Sequence, residues 1–122
     1  VLPVLRIMTA VITDYGAVSD GTTLNTTAIQ HAVDRCADSG GGTVEVPPGR
    51  YLSGTVELRS RVTLYLHPGA VLIGSPRRED YSETGFVHVN NHFSEGEGGK
   101  SLSLIYADGA EDVSIAGKGK RI

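Results

Sequence analysis

Carboxylates at Glu45, Glu57, Asp80, Glu83, Glu95, Glu97 and the neighbouring Glu111–Asp112 are this chain's candidates for acid–base chemistry. Two carboxyls in different environments can divide the labour, one protonated and donating, the other ionised and accepting. Their placement argues against such a pair. Glu45 and Glu57 stand opposite apolar positions in alternating segments, where side chains face solvent. Asp80 and Glu83 sit near a loop, Glu95 and Glu97 lie beside glycines, and adjacent turn carboxylates point apart. No catalytic dyad is expected among them, and no catalytic or substrate-binding residue is assigned.

Other candidates reduce to ordinary roles. His88 and His92 would converge on a metal only from a helix. Val89-Asn90-Asn91 between them gives neither helix strength nor the adjacent glutamate of a zinc protease. Glu95 or Glu97 could serve as a third ligand, but nothing fixes either, so solvated loop histidines and no metal are expected. Asp14 to Thr22 resembles a calcium loop, yet Gly16 and Val18 occupy positions that need oxygen ligands. Asn25-Thr26-Thr27 is a glycosylation sequon that helix capping explains equally well. Cys36, the single cysteine, lies on an apolar helix face and reads as a buried inert thiol. Arg77-Arg78 could meet an anionic sugar, but beside Glu79-Asp80 the pair reads as balanced charge.

The run Gly40-Gly41-Gly42 poses a sharper choice between phosphate cradle and hinge. Phosphate loops follow a strand and open a helix, whose free amides attract anions. Here the glycines follow a helical pattern and lead into a strand, and no Lys-Ser/Thr pair accompanies them. The run is a hinge. No cofactor is expected.

The helix it closes is predicted at about 25–38. Leu24, Ala28, Ile29, Ala32, Val33, Cys36 and Ala37 recur at helical spacing. Asn25 is placed to cap it, with Leu24 and Ile29 as a hydrophobic staple, or Thr27 and Gln30 as a capping box. Before it, Val11 to Val18 reads as a short strand ending in a turn, and Asp20-Gly21 as a second turn. After it, 43–46, 54–58, 62–66, 71–73, 102–106 and 113–115 read as short strands. Turns at Pro47-Pro48-Gly49, Arg59-Ser60-Arg61, His67-Pro68-Gly69 and Asp108-Gly109 separate them.

The 122 residues fit a single unit, 1–122, and the sixteen glycines, two phenylalanines and absent tryptophan predict many turns around an aliphatic core. A net charge of −3 gives no electrostatic reason to bind nucleic acid or an acidic membrane. The apolar run 1–12 contains Pro3 and Arg6, is too short to span a bilayer, and lacks a signal-cleavage pattern. Many short strands after one helix are compatible with a sandwich, a barrel or a parallel β-helix. Aliphatic strands favour the β-helix, with the helix covering its first coil. Residues 76–100, polar and without periodicity, read as a long loop excursion.

Three stretches carry a resemblance. Thr13–Gly21, Asn25–Gln30 and Gly40–Tyr51 (GGGTVEVPPGRY) are similar to the opening of pectin-lyase-like right-handed parallel β-helices. Leu52–Ser75 (LSGTVELRSRVTLYLHPGAVLIGS), Asp80-Tyr81 and Ser103–Gly119 (SLIYADGAEDVSIAGKG) resemble glycoside hydrolase family 28, the polygalacturonases. That resemblance implies a mainly β fold, a right-handed parallel β-helix whose cap and first coils this chain supplies within a longer domain. It also implies inverting hydrolysis of galacturonosyl linkages in a pectic polysaccharide, by a protein secreted or periplasmic. The family's Asn-Thr-Asp, Asp-Asp, Gly-His-Gly and Arg-Ile-Lys motifs do not occur here. The chain alone is therefore expected to be an inactive scaffold that lends 76–100 to a substrate groove, and to self-associate through its open end. The alternative is a noncatalytic carbohydrate-binding or tailspike-like module.

Overall fold

Alternation of apolar and polar residues decides which way each strand faces, and in the computed structural model Val44 and Val46, Val56 and Leu58, and Val62, Leu64 and Leu66 turn inward. The structure describes residues 8–81 and 104–121. In these residues β1 (Met8–Val11), β2 (Asp20–Leu24), α1 (Thr26–Asp38), β3 (Gly42–Val46), β4 (Gly49–Ser53), β5 (Val56–Glu57), β6 (Val62–Leu66), β7 (Ala70–Gly74), β8 (Ile105–Tyr106), β9 (Ser114–Gly117) and β10 (Lys120–Arg121) follow one another. Short 3-10 turns cover Ile12–Tyr15 and Arg78–Asp80.

The strands form three sheets, β1-β3-β6-β9, β2-β4-β7-β10 and β5-β8, in which every pairing is parallel. The chain visits the first, second and third sheet in turn, then returns to the first one strand further along. The protein is mainly β, with parallel strands and one α-helix among the described residues.

In-register stacking builds the core. Ala10, Val44, Leu64 and Ile115 are successive partners across the first sheet, and Tyr51 pairs with Leu72 in the second. Val44, Val46, Val62, Leu64, Leu72 and Val56 are completely buried. Each such aliphatic side chain contributes about 1.5–3 kcal/mol relative to exposure.

Helix α1 lies against β1, β3 and β5 and buries Ile29, Ala32, Val33 and Cys36. It ends as the glycine run predicts. Gly40 takes the left-handed conformation (φ +101°), its N–H donates to Ala37 O at 3.0 Å, and Gly41 N–H donates to Cys36 O at 2.9 Å. Those are the two bonds of a Schellman cap. Gly42 is required for another reason: a Cβ there would lie 2.0 Å from the Met8 carbonyl oxygen of β1.

The start of α1 departs from expectation. Asn25 occupies the N-cap position but makes no capping bond. Its side-chain amide instead accepts from Val18 N–H at 2.9 Å and donates to Val18 O at 3.0 Å. Leu24 remains exposed, so no staple with Ile29 forms. Gln30 does not complete a capping box either. It accepts from Glu57 N–H at 2.9 Å and donates to Glu57 O at 3.0 Å. Thr26 Oγ1 accepts from Gly54 N–H at 2.7 Å. The helix thus uses side chains as substitutes for a strand along the open edge of the third sheet, where backbone groups need partners.

Two further readings are corrected. The strand expected from Val11 to Val18 is β1 followed by a 3-10 turn closed at Gly16, since Ile12 turns into the core and is completely buried. Asp20-Gly21 opens β2 rather than forming only a turn. Asp20 accepts from Thr22 and Thr23 N–H and from Thr23 Oγ1. Those bonds, the Thr23 hydroxyl first, hold its carboxyl far below the usual range.

Candidate functional site

The third sheet carries the most chemistry. Val56 and Leu58 point inward and Glu57, between them, points out. Register places Glu57 directly beside Tyr106 of β8. Burial first, then the negative charges of Glu57 and Asp108, push the Tyr106 phenol up. Glu57, Arg59, Ser60 and Asp108 line an open cleft of about 160 Å³. Arg59 leans away to Asp34 at 3.5 Å and Asp38 at 3.4 Å. These are exposed pairs worth no more than about 1 kcal/mol each.

The cleft therefore offers two carboxylates, Glu57 and Asp108. It can hydrogen-bond a hydroxyl-rich ligand. No catalytic role is assigned to Glu57 or Asp108.

The other nominated carboxylates go elsewhere. Glu45 projects from β3, and its Oε1 lies 2.6 Å from His67 Nε2. Asp80 accepts from the hydroxyl of buried Ser75, whose oxygen also accepts from Arg77 N–H at 3.1 Å. Tyr81 donates its phenol to Ser75 O at 2.8 Å. This clasp folds back over Gly54, where a Cβ would meet the Asp80 carbonyl oxygen at 1.7 Å. Glu111 and Asp112 are exposed in their turn. Glu83, Glu95, Glu97, His88 and His92 lie outside the described residues, as does 82–100 of the expected loop. No cluster of three potential metal ligands occurs among the described residues.

The bland readings hold at several positions. Cys36 is buried beside Thr43 O, and burial pushes its thiol up. Arg77 pairs with Glu79 at 3.1 Å. Asn25, 2% exposed with both ends of its amide engaged, cannot accept a glycan in this fold.

Sequence reasoning missed Tyr106 and Gln30 as partners of Glu57, and Asp108 as its companion in the cleft. Tyr106 could have been found by aligning Thr55-Val56-Glu57-Leu58 with Leu104-Ile105-Tyr106-Ala107, but a long intervening segment hides that repeat.

Stacked coils whose strands pair only in parallel, with a helix packed against β1, β3 and β5, make a mainly β, parallel-stranded fold. The chain belongs to the rhamnogalacturonase A/epimerase, pectate lyase-like family, whose model matches residues 9–102. It is 37% identical to an exo-poly-alpha-D-galacturonosidase of Dickeya chrysanthemi across 88% of this chain and 18% of that protein. Among solved structures, the family 28 exopolygalacturonase of Yersinia enterocolitica superposes with a TM-score of 0.76 at 34% identity, over 92% of this chain and 20% of that one. The exopolygalacturonase of Thermotoga maritima gives 0.74 at 27% identity, over 95% of this chain and 25% of that one. The chain thus spans about a fifth to a quarter of these relatives.

Proposed function

We propose that this chain is the N-terminal scaffold of a pectin-degrading glycoside hydrolase, a right-handed parallel β-helix whose first coil α1 caps. The observation that carries this reading is the likeness to galacturonan-cleaving enzymes over nearly the whole chain but only 18–25% of their length. In the longer polypeptide one carboxyl donates a proton to the departing glycosidic oxygen. A second, roughly 6.5–9.5 Å away, takes a proton from the water that attacks the anomeric carbon, inverting it. Neither group is assigned to this chain. Its contribution is to bury the end of the coil and to set the register on which later coils stack. A polymeric pectic substrate cannot cross a membrane, which fits secretion or a periplasmic site. No helix of the described residues is long and apolar enough to span a bilayer.

On polygalacturonate, the 122-residue chain is expected to release no reducing ends, while a longer polypeptide that contains it releases them. Turnover by the short chain overturns the scaffold role. A longer polypeptide that binds pectic glycans without cleaving any overturns the hydrolase reading in favour of a noncatalytic module.

The open end supports self-association of the isolated chain. Ile115 continues the inner ladder yet is 38% exposed, and β9 and β10 each pair on one side only among the described residues. Sedimentation equilibrium is expected to show dimers or larger species, and Ile115→Asp to shift them toward monomer. A monomer at high concentration refutes it.

A further inference from the structure

The outer face of the first sheet has a composition unlike its neighbours. Register aligns Thr9, Thr43, Thr63 and Ser114 in one row and Val11, Glu45, Tyr65 and Ala116 in the next. The rows alternate with the buried inner ladder, so both face outward. Neither contains lysine or arginine, whereas the outward row of the second sheet runs Asp20, Arg50, Val71, Lys120.

Tyr65 stands at the centre of this face, half-buried. Its ring meets His67 edge-on, with centroids 4.8 Å apart and planes at 85°. His67 is fixed in turn by Glu45 at 2.6 Å. That contact occupies Glu45 Oε1 and leaves Oε2 as an acceptor. Thr63 and Ser114 hydroxyls lie 2.8 Å apart and hold each other in place. Strands about 4.8 Å apart repeat these hydroxyls at a spacing close to the width of a sugar ring.

We propose that this face binds a neutral polysaccharide strand. Tyr65 is the platform for the apolar C–H face of one sugar, Glu45 accepts from its hydroxyls, and the Thr43–Thr63–Ser114 row meets the next. A held aromatic ring loses little entropy on binding, which favours it as a contact. The preference for an uncharged glycan follows from charge. Glu45 would repel a uronate carboxylate, and His67, which meets Tyr65, is already paired to Glu45. This surface is independent of the hydrolase reading above.

The test is affinity electrophoresis of the 122-residue chain through gels containing a neutral galactan or glucan, or polygalacturonate. Retardation is expected in a neutral gel and not in polygalacturonate. Tyr65→Ala should weaken it about tenfold, the equivalent of one lost stacking contact, while Tyr65→Phe retains it. Thr63→Lys, a change at a half-exposed position, should block the face without touching the core. Circular dichroism melts confirm that each variant is folded. Retardation in polygalacturonate alone, none in any gel, or retardation that survives both Tyr65→Ala and Thr63→Lys overturns the proposal. So does a shift that sedimentation traces to pairing of two chains.

Discussion

Gly42→Ala is expected to destabilise the protein by at least about 3 kcal/mol, the range of severe overpacking against backbone. The added methyl would sit 2.0 Å from Met8 O and 2.9 Å from its carbonyl carbon. Backbone cannot rotate aside as a side chain does, so β1 must separate from β3. The neighbouring Gly40→Ala provides the control. A Cβ there meets nothing within 4 Å, although φ is +101°. Only left-handed strain remains, about 1–2 kcal/mol. Urea denaturation should therefore rank the two variants with Gly42→Ala clearly the worse. Equal midpoints would show that β1 does not pack against β3 as described.

Gln30→Leu is the second large effect. The side chain supplies one acceptor and one donor to Glu57, at 2.9 and 3.0 Å. Leucine leaves that N–H and carbonyl without partners where the helix covers them. Each unmade bond costs about 1–3 kcal/mol, so the two together are expected to cost about 2–6 kcal/mol. Gln30→Glu separates the two contacts, because a carboxylate still accepts from Glu57 N–H but cannot donate to Glu57 O. It should fall between wild type and Gln30→Leu in thermal melts. If Gln30→Leu matches wild type, the helix is not closing the edge of the third sheet through this amide. An uncovered edge also invites another strand, so Gln30→Leu should raise the aggregated fraction at equal concentration.

Both predictions concern joints between helix and coil, the part of the fold least visible in one dimension. The strand segments were legible. Val62, Leu64 and Leu66 alternate cleanly, and β6 occupies the expected residues. The helix was legible too, within a residue at its start, and the glycine hinge closes as reasoned. Less visible were β2 and β4, of which Asp20-Gly21 and Gly49 were read as turn residues and no strand was expected. Their residues Asp20–Leu24 and Gly49–Ser53 include glycines and charges that weaken propensity. Parallel neighbours pair them regardless. The chain's carboxylates were all visible as residue types, yet which of them meet was not. Glu57 and Tyr106 are brought together by coil register across a long intervening segment.

Sequence alone determined the inward-facing aliphatic rungs, the amphipathic helix α1 and the place where it stops, because those depend on periodicity and on glycine's backbone freedom. Tertiary structure decided the uses of Asn25, Gln30, Glu45 and Glu57. Their polar ends are indifferent to local pattern, and take whatever backbone or side chain the stacking of distant coils delivers to them.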